Sequence, residues 1–271
     1  MRPKTWFITG ASKGFGLEWA EAALERGDQV AVTSRSESAF DDLVAKYGDA
    51  VLPLRLDVAG RAAAFEAVQE AVDKFGGLDV VVNNAGYGLF CMTEEVTEQQ
   101  AREQIEVNLF GALWVTQAVL PHLRARGCGH IIQVSSIGGV VSLPGLGLYH
   151  ASKFALEGFT ASLAAEVKDF GIKVTLVEPV GYATGWAGPS AVQTQHLPAY
   201  DDFRAAMTRI SARRGDPGAT RAAILTVVDA EQPPLRIFFG EEPLEMVTKE
   251  YQARLDEWRK WDGVSKMAFG A

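Results

Sequence analysis

The chain has 271 residues, 48% hydrophobic and 22% charged, with no long polar or repetitive tract, which supplies enough apolar side chain for one large ordered core. Its formal net charge of −8 offers a polyanion nothing general to hold, which argues against a nucleic-acid partner. Two cysteines, Cys91 and Cys128, and four scattered histidines lack the spacing of a disulfide framework or a metal site, and no apolar run reaches the roughly 18 residues of a membrane span.

In chain order, Met1 leads at once into the apolar segment Thr5–Thr9, which reads as a strand and leaves no room for a signal peptide, so the cytoplasm is the expected compartment. A glycine-rich turn follows, with Gly16 opening and Gly27 closing a first helix. Gln29–Ser34, Val51–Leu56 and Leu78–Asn83 read as strands separated by helical patterns. Thr97, followed three residues later by Gln100, forms a capping box before a long helical stretch, Ala101–Arg126, which Pro121 is expected to kink or end early. Next come a strand over His130–Ser135, a helix over Tyr149–Phe170 and a strand over Ile172–Glu178. Gly181–Pro217 shows no clear period and is expected to be a substrate loop or lid. Leu235–Phe239 reads as the last strand, and the tail Glu241–Ala271, with Trp258 and Trp261 three apart on a helix, is expected to dock on the body or on another subunit.

Several of these strands are apolar almost throughout, as strands covered on both faces should be. Alternating strands and helices predict an α/β fold: a doubly wound, parallel seven-stranded sheet with helices on both faces. Nothing marks a second hydrophobic block or an internal repeat, so residues 1–271 read as a single domain.

Thr9-Gly10-Ala11-Ser12-Lys13-Gly14-Phe15-Gly16 lies between the first strand and the first helix, the context in which glycines make a tight turn and let backbone approach a pyrophosphate held at a helix N-terminus. The spacing TGxxxGxG, the segment Asn83-Asn84-Ala85-Gly86 after the fourth strand, and Tyr149-His150-Ala151-Ser152-Lys153 together resemble the short-chain dehydrogenase/reductase family over about residues 4 to 185. Leu148–Glu157 and the long tail look most similar to its hydroxysteroid- and retinol-dehydrogenase-like members. The resemblance implies a Rossmann fold and hydride transfer between a nicotinamide and a carbonyl or alcohol carbon. It also implies that Asp57 contacts adenine, that Val58 beside it binds the cofactor, that Asn84, Ala85 and Gly86 back the cofactor, and that Thr184, after Pro179 and Val180, contacts the carboxamide.

Charge at the end of the second strand argues for the cofactor. An NAD site wants a carboxylate there for the ribose hydroxyl, whereas this strand ends in Ser34 and Arg35; with Lys13, Arg35 offers a 2′-phosphate positive charge, which favours NADP(H).

Tyr149 and Lys153, four apart, project from one helix face. A carbonyl receiving hydride needs a proton donor within reach, and an ammonium beside a tyrosine is expected to lower its pKa from near 10. By resemblance, Ser136, 13 residues before Tyr149, bonds the substrate oxygen, Lys153 also holds the nicotinamide ribose, and Asn108 supports a proton-relaying water. One departure stands out: Val180 occupies the position where the family usually has glycine, and is expected to narrow the substrate pocket. Candidate pocket walls are Phe90, Cys91, Met92, Val140, Val141, Leu143, Leu146, Val180 and Trp186, an apolar set that suits a hydrophobic or aromatic ketone, aldehyde or secondary alcohol. Competing readings are a non-catalytic NADP-sensing module and an epimerase- or dehydratase-type relative, whose larger substrate domain and TGxxGxxG spacing this chain lacks. Apolar residues on several faces of the two long helices predict a homodimer or homotetramer.

Overall fold

The computed structural model describes residues 2–187, 191–207, 214–241 and 243–270. The strands, in chain order, are β1 (Thr5–Ile8), β2 (Gln29–Ser34), β3 (Val51–Arg55), β4 (Val80–Asn83), the short β5 (Leu89–Phe90), β6 (Gly129–Val134), β7 (Ile172–Pro179), the short β8 (Val192–Gln193) and β9 (Arg236–Phe239). Seven of them make one parallel sheet in the order β3-β2-β1-β4-β6-β7-β9, and β5 pairs with β8 separately. Strand order reverses between β1 and β4, which opens a crevice outside the carboxyl ends of the strands.

The helices are α1 (Gly14–Glu25), α2 (Asp41–Tyr47), α3 (Arg61–Phe75), α4 (Glu98–Ile105), α5 (Gly111–Arg126), α6 (Gly147–Val167), α7 (Asp201–Met207), α8 (Thr220–Asp229) and α9 (Pro243–Phe269). Successive strand residues feed opposite cores. Trp6, Ile8, Val30 and Val32 pack with Trp19 of α1, Leu43 of α2 and Ile224 of α8, whereas Phe7, Ala31 and Val81 pack with Val68 of α3, Val119 of α5 and Leu163 of α6. This double burial is why the strands are apolar throughout.

One expectation requires correction. Pro121 sits inside α5, which runs on to Arg126 and closes on Gly127 in the left-handed region. The carbonyl freed by its ring belongs to Gln117, an exposed position where water can serve it. The interruption comes earlier, in a π turn over Glu106–Phe110 between α4 and α5, and it holds Asn108. The tail is helical, and the first half of α9 touches the body, with Pro243 buried and Val247, Glu250 and Arg254 half-buried. Beyond Arg254, whose guanidinium lies over the Phe154 ring at 5.6 Å from its centroid, the helix stands clear of this chain, with Trp258 65% exposed, Trp261 56% and Phe269 90%. Ion pairs within the helix, Arg254–Glu250, Arg259–Asp256 and Lys266–Asp262, support it instead. No helix among the described residues is long and apolar enough to cross a membrane.

Candidate active site

The turn after β1 has the geometry of an anion cradle. Gly10 and Gly14 have φ of +63° and +58°, the left-handed region that a side chain resists. A Cβ on Gly10 would meet Ala85 Cα at 2.9 Å, and one on Gly16 would meet Asn84 Nδ2 at 2.6 Å. The first turn of α1 carries no acidic residue and its N-cap, Lys13, supplies no side-chain bond, so no side chain of the cap competes for the helix N-terminal N–H groups. Ser12 and the exposed Lys13 complete the turn. The Asn84 amide donates to the carbonyls of Thr9 and Gly10, each at 2.9 Å, and the Thr9 hydroxyl accepts from the backbone N–H groups of Asn84 and Ala85 at 2.9 and 3.0 Å. The Asn83–Gly86 segment is therefore fastened to the cradle. Thr184 arrives above it, with its methyl 3.6 Å from where a Gly14 Cβ would stand.

Arg35 lies exposed at the end of β2, beside Ser34, whose hydroxyl is engaged with the backbone of Ser36. Asp57 caps the turn after β3 by accepting from Ala59 N at 3.1 Å. Two predicted contacts face elsewhere. The Phe15 ring packs into the core against Trp19 and Tyr182, and the Val58 side chain lies against Gly111 of α5, so only their backbones can serve a ligand at the cradle.

Ser136, Tyr149 and Lys153 converge where β6 ends and α6 begins. The Ser136 hydroxyl accepts from Gly138 N at 3.0 Å and acts on the Tyr149 phenol beside it. Tyr149 and Lys153 are 5% and 6% exposed. Burial pushes the Tyr149 phenol up to about 12, against a smaller downward pull from Ser136. Burial pushes the Lys153 ammonium down to about 8, with Glu157 pulling it back up. The expected lowering of Tyr149 by Lys153 is not realised in this arrangement, because the ammonium donates to Val134 O at 2.7 Å and lies 5.9 Å from the centroid of the Tyr149 ring. Asn108, 1% exposed, is a brace: its amide donates to Tyr87 O at 3.0 Å and Ser152 Oγ at 3.1 Å, and its oxygen accepts from Tyr87 N at 3.1 Å. Gly86 lies between it and Lys153, for an added Cβ would stand 3.1 Å from Asn108 Oδ1 and 3.7 Å from Lys153 Nζ.

An aromatic cover lies over the phenol. The Trp186 ring is 4.9 Å from that of Tyr149 and 5.2 Å from that of Phe90, and it leaves no room for a side chain on Gly88. Among the other expected walls, Cys91, Val140 and Val141 are buried and Leu143 is exposed. Val180 does not narrow this pocket. It continues the β7–β9 pairing through Val180 N to Phe239 O at 3.0 Å, and its methyl fills the space that a Gly240 side chain would need.

Sequence reasoning passed over three supports. His150 is held on both nitrogens, Nδ1 against Gly138 O at 2.8 Å and Nε2 accepting from Leu143 N at 2.9 Å, and so braces the loop between Ser136 and Tyr149. Gln104 ties Leu89 N and Tyr87 O to α4. Glu95, with a fully buried side chain, accepts from Leu197 N at 2.7 Å, Met92 N at 3.0 Å and Thr194 Oγ1 at 3.3 Å, and pairs with Arg204. It thereby anchors the segment that carries β8 and α7. Burial pushes this carboxyl up, but the hydrogen bonds from Arg204, Leu197 and Met92 outweigh burial and hold it at about 2. The position of Gln104 and of Glu95, acid or amide in a polar helical stretch, carries no sequence signal of either role.

The family profile described as short chain dehydrogenase matches residues 4–194. Oxidoreductase BOA17 of Botryotinia fuckeliana (strain B05.10) is 39% identical over 97% of this chain and 98% of its own length, and the 3-ketodihydrosphingosine reductase of Bacteroides thetaiotaomicron is 37% identical over 89% of each. The crystal structure of a short-chain dehydrogenase from Streptomyces avermitilis superimposes with a TM-score of 0.91 at 37% identity, covering 98% of this chain and 99% of that one. The 3-ketoacyl-(acyl-carrier-protein) reductase of Brucella melitensis complexed with NADH and ElxO with NADP bound each have a TM-score of 0.73 and 27% identity, covering 88% of this chain and 97% and 98% of theirs. Equal likeness to a neighbour holding each dinucleotide leaves the choice between them to local charge.

Proposed function

The chain belongs to the short-chain dehydrogenase family, and on that premise we propose that it is an NADP(H)-dependent oxidoreductase reducing a hydrophobic or aromatic ketone or aldehyde, reversibly, to the alcohol. The observation that carries the reading is the meeting of Ser136, Tyr149 and Lys153 beside a cradle in which Gly10 and Gly16 have no room for side chains.

The cradle fits a dinucleotide: left-handed Gly10 and Gly14, the N-terminus of α1 and the backbones of Phe15 and Gly16 suit a pyrophosphate, and Asp57 and Val58 border an adenine position. Arg35 and Lys13 favour a 2′-phosphate. Lys153 would hold the nicotinamide ribose, and the backbones of Pro179 and Val180 with Thr184 would border the ring. When bound, the nicotinamide supplies or accepts hydride.

The protein's own part is a proton. Because Gly138 N–H occupies a lone pair of Ser136, the serine hydroxyl proton is left to point toward Tyr149 and a substrate oxygen between them. A phenol held near 12 stays protonated across the working range, so Tyr149 donates to the oxygen that becomes the alcohol, and takes the proton back in the reverse direction. The aromatic faces of Trp186 and Phe90 beside Tyr149 support an apolar carbonyl substrate over a sugar or phosphate ester.

The test is nucleotide consumption with NADPH and NADH against aliphatic and aromatic ketones, for the wild type and Tyr149→Phe. NADPH-preferring turnover that falls roughly 100-fold or more in the variant, with nucleotide binding retained, supports the reading. Tight binding without turnover in the wild type supports the NADP-sensing alternative. Assembly as a homodimer or homotetramer belongs to the same proposal, and light scattering on the full chain tests it.

A further inference from the structure

One turn beyond Lys153 on α6, the structure buries two carboxyl groups that the proton chemistry above does not use. Glu157 is 6% exposed and Glu178, near the end of β7, 1%. The two carboxyls lie close enough to act on each other's charge. Arg236, entering from β9, lies with Nε 3.0 Å from Glu157 Oε2 and 3.7 Å from Glu178 Oε1. Oε1 of each carboxyl is buried with no proton donor, and so is the hydroxyl of Ser135, which borders Glu157 across Gly139. Two carboxylates served by one guanidinium, with an orphaned oxygen on each, is an arrangement that one shared proton satisfies and two full charges do not.

We infer that Glu157 and Glu178 share a proton, and that this pair is a positioning element that sets the charge beside Lys153. This rests on the reading of Lys153 as the site's ammonium. Glu157 is the carboxylate that acts on Lys153, from four residues along the same helix face. The groups facing the pair are Lys153 from α6, Arg236 from β9 and the neutral Ser135. The other elements packed on this stretch of α6 present Asn108, and Gly138 and Gly139, with His150 bound on both ring nitrogens to backbone. Burial and the neighbouring Glu157 push Glu178 up to about 8, with Arg236 opposing, the same range to which burial brings Lys153 down. As pH rises toward the point where Lys153 would lose its proton, the pair loses its own, and the added negative charge holds the ammonium. The lysine therefore stays charged further into the alkaline range than its burial alone allows.

The experiment is carboxyl- and lysine-selective NMR titration of the full chain, run with pH profiles of ketone reduction, for the wild type, Glu157→Gln, Glu178→Gln and Arg236→Gln. The expected wild-type result is one glutamate step far above the ordinary carboxylate range, absent from both glutamate variants and displaced upward in Arg236→Gln. The Lys153 step and the alkaline limb of kcat/KM move down together by about one unit in Glu157→Gln and by less in Glu178→Gln. A fold brace alone would lower activity evenly with pH and leave both steps in place. Ordinary titration of both carboxyls, or a Lys153 step unmoved in Glu157→Gln, overturns the inference. Displaced NMR steps in a wild type without turnover would uphold it and refute the proposed activity instead. Arg236, half-exposed, provides the variant least apt to unfold if Glu178→Gln does not fold.

Discussion

Replacing Trp186 by alanine should uncover the Tyr149 phenol. The indole makes two ring contacts, with Tyr149 at 4.9 Å and Phe90 at 5.2 Å, and aromatic pairs contribute about 0.5–1.5 kcal/mol each beyond area burial. Losing both weakens the covered state by about 1–3 kcal/mol, roughly 5- to 150-fold in its population. The rest of the segment stays attached through β5–β8 and Glu95, so the global unfolding midpoint should hardly move. Two readouts follow. Burial raises the Tyr149 phenol to about 12 because it disfavours the phenolate, so uncovering it brings its ionisation down toward the free value of about 10. Alkaline absorbance titration, with Trp186→Ala/Tyr149→Phe as the reference that removes this one tyrosine, reads the shift. In turnover, the ratio of kcat/KM for a two-ring aromatic ketone to that for a small aliphatic one should rise, because the bulky substrate no longer has to displace the indole. A phenol titration identical to wild type together with an unchanged ratio would refute the role of Trp186 as the cover.

Arg35→Ala should lower the preference for NADPH over NADH by roughly 10- to 100-fold, the worth of a charge-assisted contact to phosphate, and an unchanged ratio of kcat/KM values would sink the NADP assignment. Gly16→Ala puts a methyl 2.6 Å from Asn84 Nδ2 and from Gly10 O, so urea unfolding should show a loss of about 1–3 kcal/mol and nucleotide titration a weaker complex; wild-type values for both would mean the cradle yields freely. Burial, aided by Lys173 and Lys4, pushes His130 down to about 3, so it is neutral in the fold and takes up a proton on unfolding below about 6.5. Stability should therefore fall as pH drops from about 6.5 toward 3, by at most roughly 5 kcal/mol from this group, and the fall should be shallower in His130→Asn; parallel curves for the two proteins would exclude His130 as its source.

The sheet was legible because both of its faces are buried: a strand such as Val80–Asn83 feeds Val80 and Val82 to one core and Val81 to the other, and only an apolar run does that. The cradle and the Ser136, Tyr149 and Lys153 group were legible for a different reason, since each motif is local and its spacing is tied to one strand end or one helix face. What escaped depends on contacts distant in sequence. Glu95 looks like an ordinary acid of a surface turn until Leu197 and Arg204, 102 and 109 residues away, come to it. Val180 reads from the sequence as a pocket wall, and its backbone pairing with Phe239 and its methyl against Gly240 put it against β9 instead. Pro121 and Asn108 mislead in a complementary way: proline is the residue known to break helices, but the break falls on the π turn, which no residue type announces.

The same burial that suits the proposed apolar carbonyl opposes the proton chemistry proposed there. Enclosing Tyr149 raises its phenol to about 12, which keeps a proton available for donation but makes the phenolate, required when an alcohol is oxidised, costly to form. Enclosing Lys153 lowers it to about 8, so the cation that would stabilise that phenolate is itself near the limit of its charge. A site so enclosed thus favours a phenol that donates over a phenolate that accepts near neutral pH, unless negative charge is supplied from the protein side. Glu157 supplies it from one helical turn away on the same face of α6, where its carboxylate, paired with Arg236, supports the ammonium.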